Sequence, residues 1–109
     1  DTLQAMRAQS YEDPLASPGA VDLTAHVDFA AVAAAARALG LAVDGPRSQA
    51  AFLGSLGIFE RTSRLMAANS VAAASLEAAT ARLIAPTGMG AHFKAIGLRS
   101  ADLPVLPGL

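Results

Sequence analysis

The segment DLTAHVDF, residues 22–29, leads directly into an alanine-rich stretch and places two acids, a threonine and a histidine beside it. Asp28 stands where its carboxylate can accept backbone N–H bonds from the first turn of a following helix, as an N-cap does. Asp22, Thr24 and His26 alternate with apolar residues, and an extended chain puts alternate residues on opposite sides. The segment therefore predicts a polar strand edge next to a helix N-terminus.

Turn and breaker residues divide the rest of the chain into short elements. Gly40 ends the first helix, Ser48 opens the second and Pro86 stops the fourth. The pattern predicts helices over about 29–39, 49–56, 58–68 and 70–84, and strands over about 41–44 and 92–98. A weak strand pattern lies near the N-terminus, the stretch YEDPLASPG reads as a loop, and the tail ADLPVLPGL should be extended and loosely held. A helix followed directly by a strand is typical of α/β proteins, and three short helices in series suggest an insertion.

Composition excludes several classes of function. The chain is 53% hydrophobic and 16% charged, which argues for a folded chain rather than a disordered one. Its net charge of -1 provides no general attraction to nucleic acid, so we expect no nucleic-acid partner. The absence of cysteine excludes disulfides and thiolate chemistry. The most apolar stretch is interrupted by Arg37 and Gly40 and is too short to cross a bilayer, so we expect no membrane span.

Common chemical signatures are weak in this sequence. His26 and His92 are far apart, and His92 has no acidic neighbour at helical spacing, so no metal site is expected. A Gly-x-Ser-x-Gly nucleophile turn does not occur. Gly88-Met89-Gly90 precedes a predicted strand, whereas a dinucleotide-binding loop opens a helix, so we interpret it as a turn.

A series of motifs, in order, resembles the C-terminal third of the MidA-like methyltransferases. The most specific is DLTAHVDF, and the others are TLQAM, DPLASPG, GPRSQAAFL, LGI, RL and MGAHFKAIGL. These are class I S-adenosylmethionine-dependent enzymes, and the family includes the mitochondrial assembly factor that dimethylates an arginine on a respiratory complex I subunit. The sequence departs from the family's usual residues at Ser48, Phe59 and His92, none of which lies in DLTAHVDF.

The resemblance implies an α/β fold, the C-terminal portion of a Rossmann-like methyltransferase sheet. Two to three strands would be present, with a helical insertion between the last two. Residues 41–43 would form the sixth strand and 92–98 the antiparallel seventh. The cofactor S-adenosylmethionine would be bound mainly by an N-terminal portion that carries the family's glycine-rich loop and precedes this chain. The segment alone is then expected to be inactive and to fold poorly.

The partners implied are a protein substrate, such as a complex I subunit or its homologue, and the N-terminal portion of the same protein. A homodimer is left open. The protein would work in the bacterial cytoplasm or the mitochondrial matrix.

The resemblance also suggests roles for five residues. His26 and Asp28 are the catalytic candidates, because a carboxylate can hold a guanidinium and a histidine can accept its proton. Asp22, Thr24 and Gln49 are candidate substrate-binding residues. Each has a simpler structural alternative: Asp28 as a cap, His26 bonded to backbone, Asp22 and Thr24 bracing the loop, and Gln49 capping the next helix.

An alternative from another class is a non-catalytic, alanine-rich helical interaction module. Such a module should be stable and compact alone, and it has no need for a polar edge beside its first helix. A methyltransferase segment should instead expose apolar surface that the rest of its domain would cover.

Overall fold

The computed structural model describes residues 2–109, which form two separate antiparallel sheets and a group of helices. The N-terminal sheet contains β1 (Gln4–Arg7), β2 (Ser10–Glu12) and β3 (Asp22–Thr24) in the order β2-β1-β3. The second sheet pairs β4 (Leu41–Ser48) with β5 (Lys94–Ser100). All of these described strand pairs are antiparallel, so the wider Rossmann-like sheet stays a prediction.

The hairpin of β1 and β2 corrects the predicted loop over residues 11–19. Tyr11 and Glu12 belong to β2, where Tyr11 pairs with Met6. The chain reverses through Ala8 and Gln9, both with positive φ, as in the mirror-image turns that match the twist of a hairpin. Such turns usually contain glycine or asparagine. Because Ala8 and Gln9 are neither, the sequence gives no indication of a turn here.

Four helices and one further helical turn follow the N-terminal sheet within residues 2–109. They are α1 (Phe29–Ala38), α2 (Gln49–Ser55), α3 (Ile58–Ala68), α4 (Ala73–Ile84) and the single turn α5 (Met89–His92). Ser48 Oγ caps α2 by accepting from the Ala51 N–H at 3.2 Å. A 3₁₀ turn, Ser70–Ala72, precedes α4, where the sequence predicted one helix over 70–84.

The second sheet is longer than predicted and shifted at its last strand. β4 continues past its predicted end at residue 44 to Ser48, with a bulge between Asp44 and Arg47 where the pairing with β5 shifts register. β5 begins at Lys94 rather than at His92, which is helical in α5. The insertion of helices therefore lies between two directly paired strands.

The C-terminal tail is attached to this sheet, which corrects the expectation that it is loosely held. Arg47 Nη1 donates to the Gly108 carbonyl at 2.9 Å. A β-carbon at Gly97 would lie 2.5 Å from Leu106 and 2.7 Å from Leu109, so the absence of a side chain lets these leucines approach the strand. The tail thus covers part of the sheet through both polar and apolar contacts.

A largely buried ion pair joins both strands of the sheet to the tail. Arg99 Nε donates to Asp44 Oδ2 at 2.8 Å, and Asp44 Oδ2 also accepts from the Leu106 N–H at 3.1 Å. Arg99 Nη1 donates to the Leu103 carbonyl. The Arg99 guanidinium and the Leu106 amide hold the pKa of the Asp44 carboxyl below its ordinary value, since both favour its charged form.

The apolar core of this segment is small. Ala5, Ala33 and Ala36 are the buried apolar residues of the described part of the chain, and Leu23, Leu39 and Tyr11 are mostly exposed. The radius of gyration is 18.3 Å, whereas a compact domain of this length has about 13 Å. The segment is flat and extended, and large apolar side chains lie uncovered on its surface.

We predict that acid weakens the attachment of the tail through Asp44. A lowered folded-state pKa means that this stabilisation is present above the ordinary carboxyl pKa and is lost as the pH falls through the lowered value. Asp44→Asn should lower the thermal midpoint of the intact protein at neutral pH and reduce its acid dependence. Asp102→Asn, at an exposed tail acid, is the matched control. Equal melting curves for both variants would contradict the role of the pair.

Candidate functional site

The DLTAHVDF segment forms the third strand and the loop that enters α1. In β3, Asp22 pairs with Met6 and Thr24 with Gln4. Both polar residues are exposed, as is Leu23 between them. The predicted extended conformation is confirmed for 22–24, but the strand has no buried face within the described part of the chain.

His26 lies in the exposed loop between β3 and α1. Its backbone N–H donates to Thr2 Oγ1 at 3.0 Å, which ties the loop to the N-terminal segment. Its imidazole has no hydrogen-bond partner among residues 2–109. The backbone hydrogen bond helps to position the loop, and the imidazole ring remains available to a ligand. The catalytic role of His26 stays a prediction.

Asp28 is the N-cap of α1, as predicted. Its Oδ1 accepts from the Ala31 N–H at 2.9 Å, which satisfies one of the unpaired donors in the first turn. The side chain also lines an open cleft of about 490 Å³ between α1 and the second sheet. The Asp28 carboxylate can therefore cap the helix and face a ligand in the cleft at the same time.

The cleft combines an apolar floor with three charged side chains. The apolar part is formed by Val27, Phe29, Ala30, Ala33 and Pro46. The charged groups are Asp28, Arg37 and Lys94, and the Lys94 ammonium lies 5.9 Å from the centre of the Phe29 ring, within reach of a cation–π interaction. Asp44 and Arg99 form the one ion pair among the described residues, so the three cleft charges have no salt-bridge partner there.

This arrangement suits a ligand that is part apolar and part charged. Its volume lies in the usual range of small-molecule and peptide-side-chain sites, about 300–1,000 Å³. Asp28 can bind a cationic group, while Arg37 and Lys94 can bind carboxylate or carbonyl oxygens. The cleft can therefore recognise groups of both signs on one ligand.

Arg37 and Lys94 were not among the predicted site residues. Phe29, Ala33 and Arg37 follow one another at intervals of four along α1, so they share a helix face, and that spacing is visible in the sequence. Lys94 reaches the cleft because it pairs with Ser48 across the sheet. No local pattern could have predicted that register.

Of the five predicted residues, Asp28 lines the cleft. Asp22, Thr24 and His26 are not among its lining residues; they lie in β3 and in the loop that leads from β3 into α1. Gln49 begins α2, and its Nε2 donates to the Leu83 carbonyl at 2.8 Å, which fastens α2 to α4. The substrate-binding roles of Asp22, Thr24 and Gln49 stay predictions.

Gly88 and Gly90 belong to α5 and its cap rather than to a plain turn. A β-carbon on Gly90 would lie 2.2 Å from the Ile84 carbonyl oxygen, so this glycine permits close contact with the end of α4. Close packing therefore accounts for the glycine at position 90. Residues 2–109 contain no glycine-rich loop that leads from a strand into a helix, the arrangement that holds a dinucleotide-type cofactor.

Two further structural features bear on function. The described residues contain no group of three histidines, aspartates or glutamates placed to hold a metal ion. None of the helices formed by residues 2–109 has the length and apolar character needed to cross a membrane.

Known proteins similar to this chain point to one class of enzyme. Residues 1–47 match a family model described as "Putative S-adenosyl-L-methionine-dependent methyltransferase". No curated protein matches the sequence. Two solved structures from Burkholderia thailandensis each cover 98% of the chain at 29% identity.

The first of these structures is described as an uncharacterized superfamily protein and gives a TM-score of 0.85. The second is described as a "likely methyl transferase" of the same superfamily bound to S-adenosyl-homocysteine, and gives a TM-score of 0.83. The chain covers 29% and 28% of those proteins, so it spans less than a third of their length. These comparisons confirm the resemblance to S-adenosylmethionine-dependent methyltransferases predicted from the sequence.

Two substitutions distinguish the helix-capping role of Asp28 from a role of its negative charge in binding substrate. Asparagine also caps helices, so Asp28→Asn should leave the stability of the intact protein unchanged. Asp28→Ala should lower its free energy of unfolding by about 1 kcal/mol. If the carboxylate binds substrate, both variants should lose at least about tenfold in kcat/KM, equivalent to about 1.4 kcal/mol. Full activity of Asp28→Asn would restrict Asp28 to its structural role.

Proposed function

We propose that this chain is a segment of an S-adenosylmethionine-dependent methyltransferase and forms part of its substrate side. The observation that carries the proposal is the similarity over 98% of the chain, with a TM-score of 0.83, to a structure described with S-adenosyl-homocysteine bound. The match of residues 1–47 to a methyltransferase family model supports it independently, because that comparison uses sequence alone.

We place the main cofactor site in a part of the protein outside these residues. The similar structures are more than three times as long as this chain. Gly90, one of the two glycines that could suggest a cofactor loop, instead permits close contact between α5 and the end of α4. The segment then contributes strands, the cleft and the helical insertion to an active site completed elsewhere.

We further propose that the methyl acceptor is a protein arginine, on a complex I subunit or a bacterial equivalent. This rests on the resemblance to MidA-like enzymes, and it sets the compartment as the mitochondrial matrix or the bacterial cytoplasm. The cleft chemistry is compatible, since Asp28 can orient a guanidinium while Arg37 and Lys94 bind oxygens of the surrounding peptide. His26, two residues before Asp28, is the candidate to accept the proton that the acceptor nitrogen loses.

The shape of the segment disfavours the alternative of an independent interaction module. Such a module needs its own core, and the buried apolar residues of the described chain are three alanines. Exposed apolar side chains outside the helical insertion, such as Leu23 and Leu39, are better explained as surface that the rest of a larger domain covers.

The first test of the proposed function is cofactor binding by the intact gene product. Titration of S-adenosylmethionine into that protein should show saturable binding at about one site per chain. S-adenosyl-homocysteine should compete for the same site. A folded intact product that binds neither compound would overturn the methyltransferase proposal.

A second test separates the proposed proton acceptor from cofactor binding. His26→Ala in the intact protein should lower methyl transfer by about 10²-fold or more, because general-base catalysis contributes on this scale. Its affinity for S-adenosylmethionine should not change. Transfer is measured with methyl-labelled cofactor and a cell extract as acceptor, and acid hydrolysis should release methylarginine. Turnover equal to that of His92→Ala, the other histidine of the chain, would remove His26 from the site.

A further inference from the structure

A second concave surface lies in the helical insertion, away from the cleft beside α1. It is a groove of about 480 Å³ between α2, α3 and α4. Its apolar lining consists of Leu53, Leu56, Ile58, Leu65 and Leu83. Leu56, Leu65 and Leu83 have 50%, 40% and 37% of their surface exposed, so the groove is apolar and uncovered in this segment.

The walls of the groove are held in place by polar contacts. Thr62 Oγ1 and Thr80 Oγ1 lie 2.7 Å apart and join α3 to α4. Gln49 joins α2 to α4 through the Leu83 carbonyl. Because these contacts fix the three helices relative to one another, the groove is already formed without an occupant.

The charge at the groove is predominantly positive. Arg61 and Arg64 line it, and no acidic side chain is among its lining residues. Neither guanidinium group has an ion-pair or hydrogen-bond partner within the described chain. The Glu60 carboxylate lies beside Gly57, which also lines the groove, so one acid stands at the edge of the groove against the two arginines. This local positive charge contrasts with the net charge of -1 of the whole chain.

The order of residues along α3 identifies the shape of ligand that fits. Ile58, Arg61 and Leu65 recur at intervals of three and four, so one face of the helix alternates apolar and cationic side chains. The complementary surface is a helix whose apolar side chains repeat at the same spacing and are flanked by carboxylates. Carboxylates would pair with the two guanidinium groups at the rim, where such pairs add specificity.

We propose that this groove binds an acidic amphipathic helix of a partner protein. The volume accommodates a few apolar side chains of that helix rather than the whole helix, so the backbone of the partner would lie across the opening. Binding here involves different residues from the cleft and does not depend on the proposed methyl transfer.

The test uses the intact protein and two synthetic peptides of about 14 residues, the length at which isolated helices become appreciably populated. Both carry leucines at the helical spacing of the groove; one has glutamates beside them and the other lysines. Fluorescence polarisation should show binding of the glutamate peptide and at least about tenfold weaker binding of the lysine peptide. Raising salt from about 0.1 M to about 1 M should weaken the binding, since it shortens the screening length.

Substitutions then locate the site. Arg61→Glu with Arg64→Glu should lower affinity for the glutamate peptide at least about tenfold, and the neutral pair Arg61→Gln with Arg64→Gln should lower it less. Arg82→Glu, on α4 and outside the groove lining, is the matched control and should bind normally. Circular dichroism checks that each variant is folded.

Three results would overturn the proposal. Equal binding of both peptides, or of neither, would show that the groove does not select an acidic helix. An effect of Arg82→Glu as large as that of the groove variants would show general charge attraction. If both the glutamate and glutamine variants unfold the intact protein, the groove is covered by another part of the same chain.

Discussion

The contact between Asp44 and Arg99 is the interaction on which the second half of this structure depends. It joins β4 to β5 and, through the Leu106 amide, joins both strands to the tail. The two strands in turn position the main features of the segment. β4 leads directly into α2, and β5 starts at Lys94 in the cleft. An ion pair thus joins these elements in a part of the structure where few apolar side chains are buried.

The small core explains why polar contacts are so prominent. Burial of apolar surface normally supplies most of the driving force for folding, yet few side chains here are buried. The helical insertion is held by an amide-to-carbonyl bond and a pair of threonine hydroxyls. These bonds specify how the elements meet, whereas the burial of apolar surface within the described residues is small.

Features governed by neighbouring residues could be read from the sequence. Asp28 and Ser48 each precede a helical pattern and act as its cap, so the chemical signal and the structure lie within three residues of each other. The antiparallel pair of final strands followed from the family resemblance. The turn at Ala8 and Gln9 could not be read because it lacks the residues that favour positive φ. The attached tail depends on a bond between residues 62 positions apart, and no periodicity records such a contact.

Ser48 links the second sheet directly to the helical insertion. It is the last residue of β4, paired there with Lys94, and its hydroxyl caps α2. No flexible linker therefore separates the sheet edge from the first helix of the insertion. Because Lys94 lines the cleft and α2 forms one wall of the groove, the cleft and the groove are connected through Ser48 and its pairing partner.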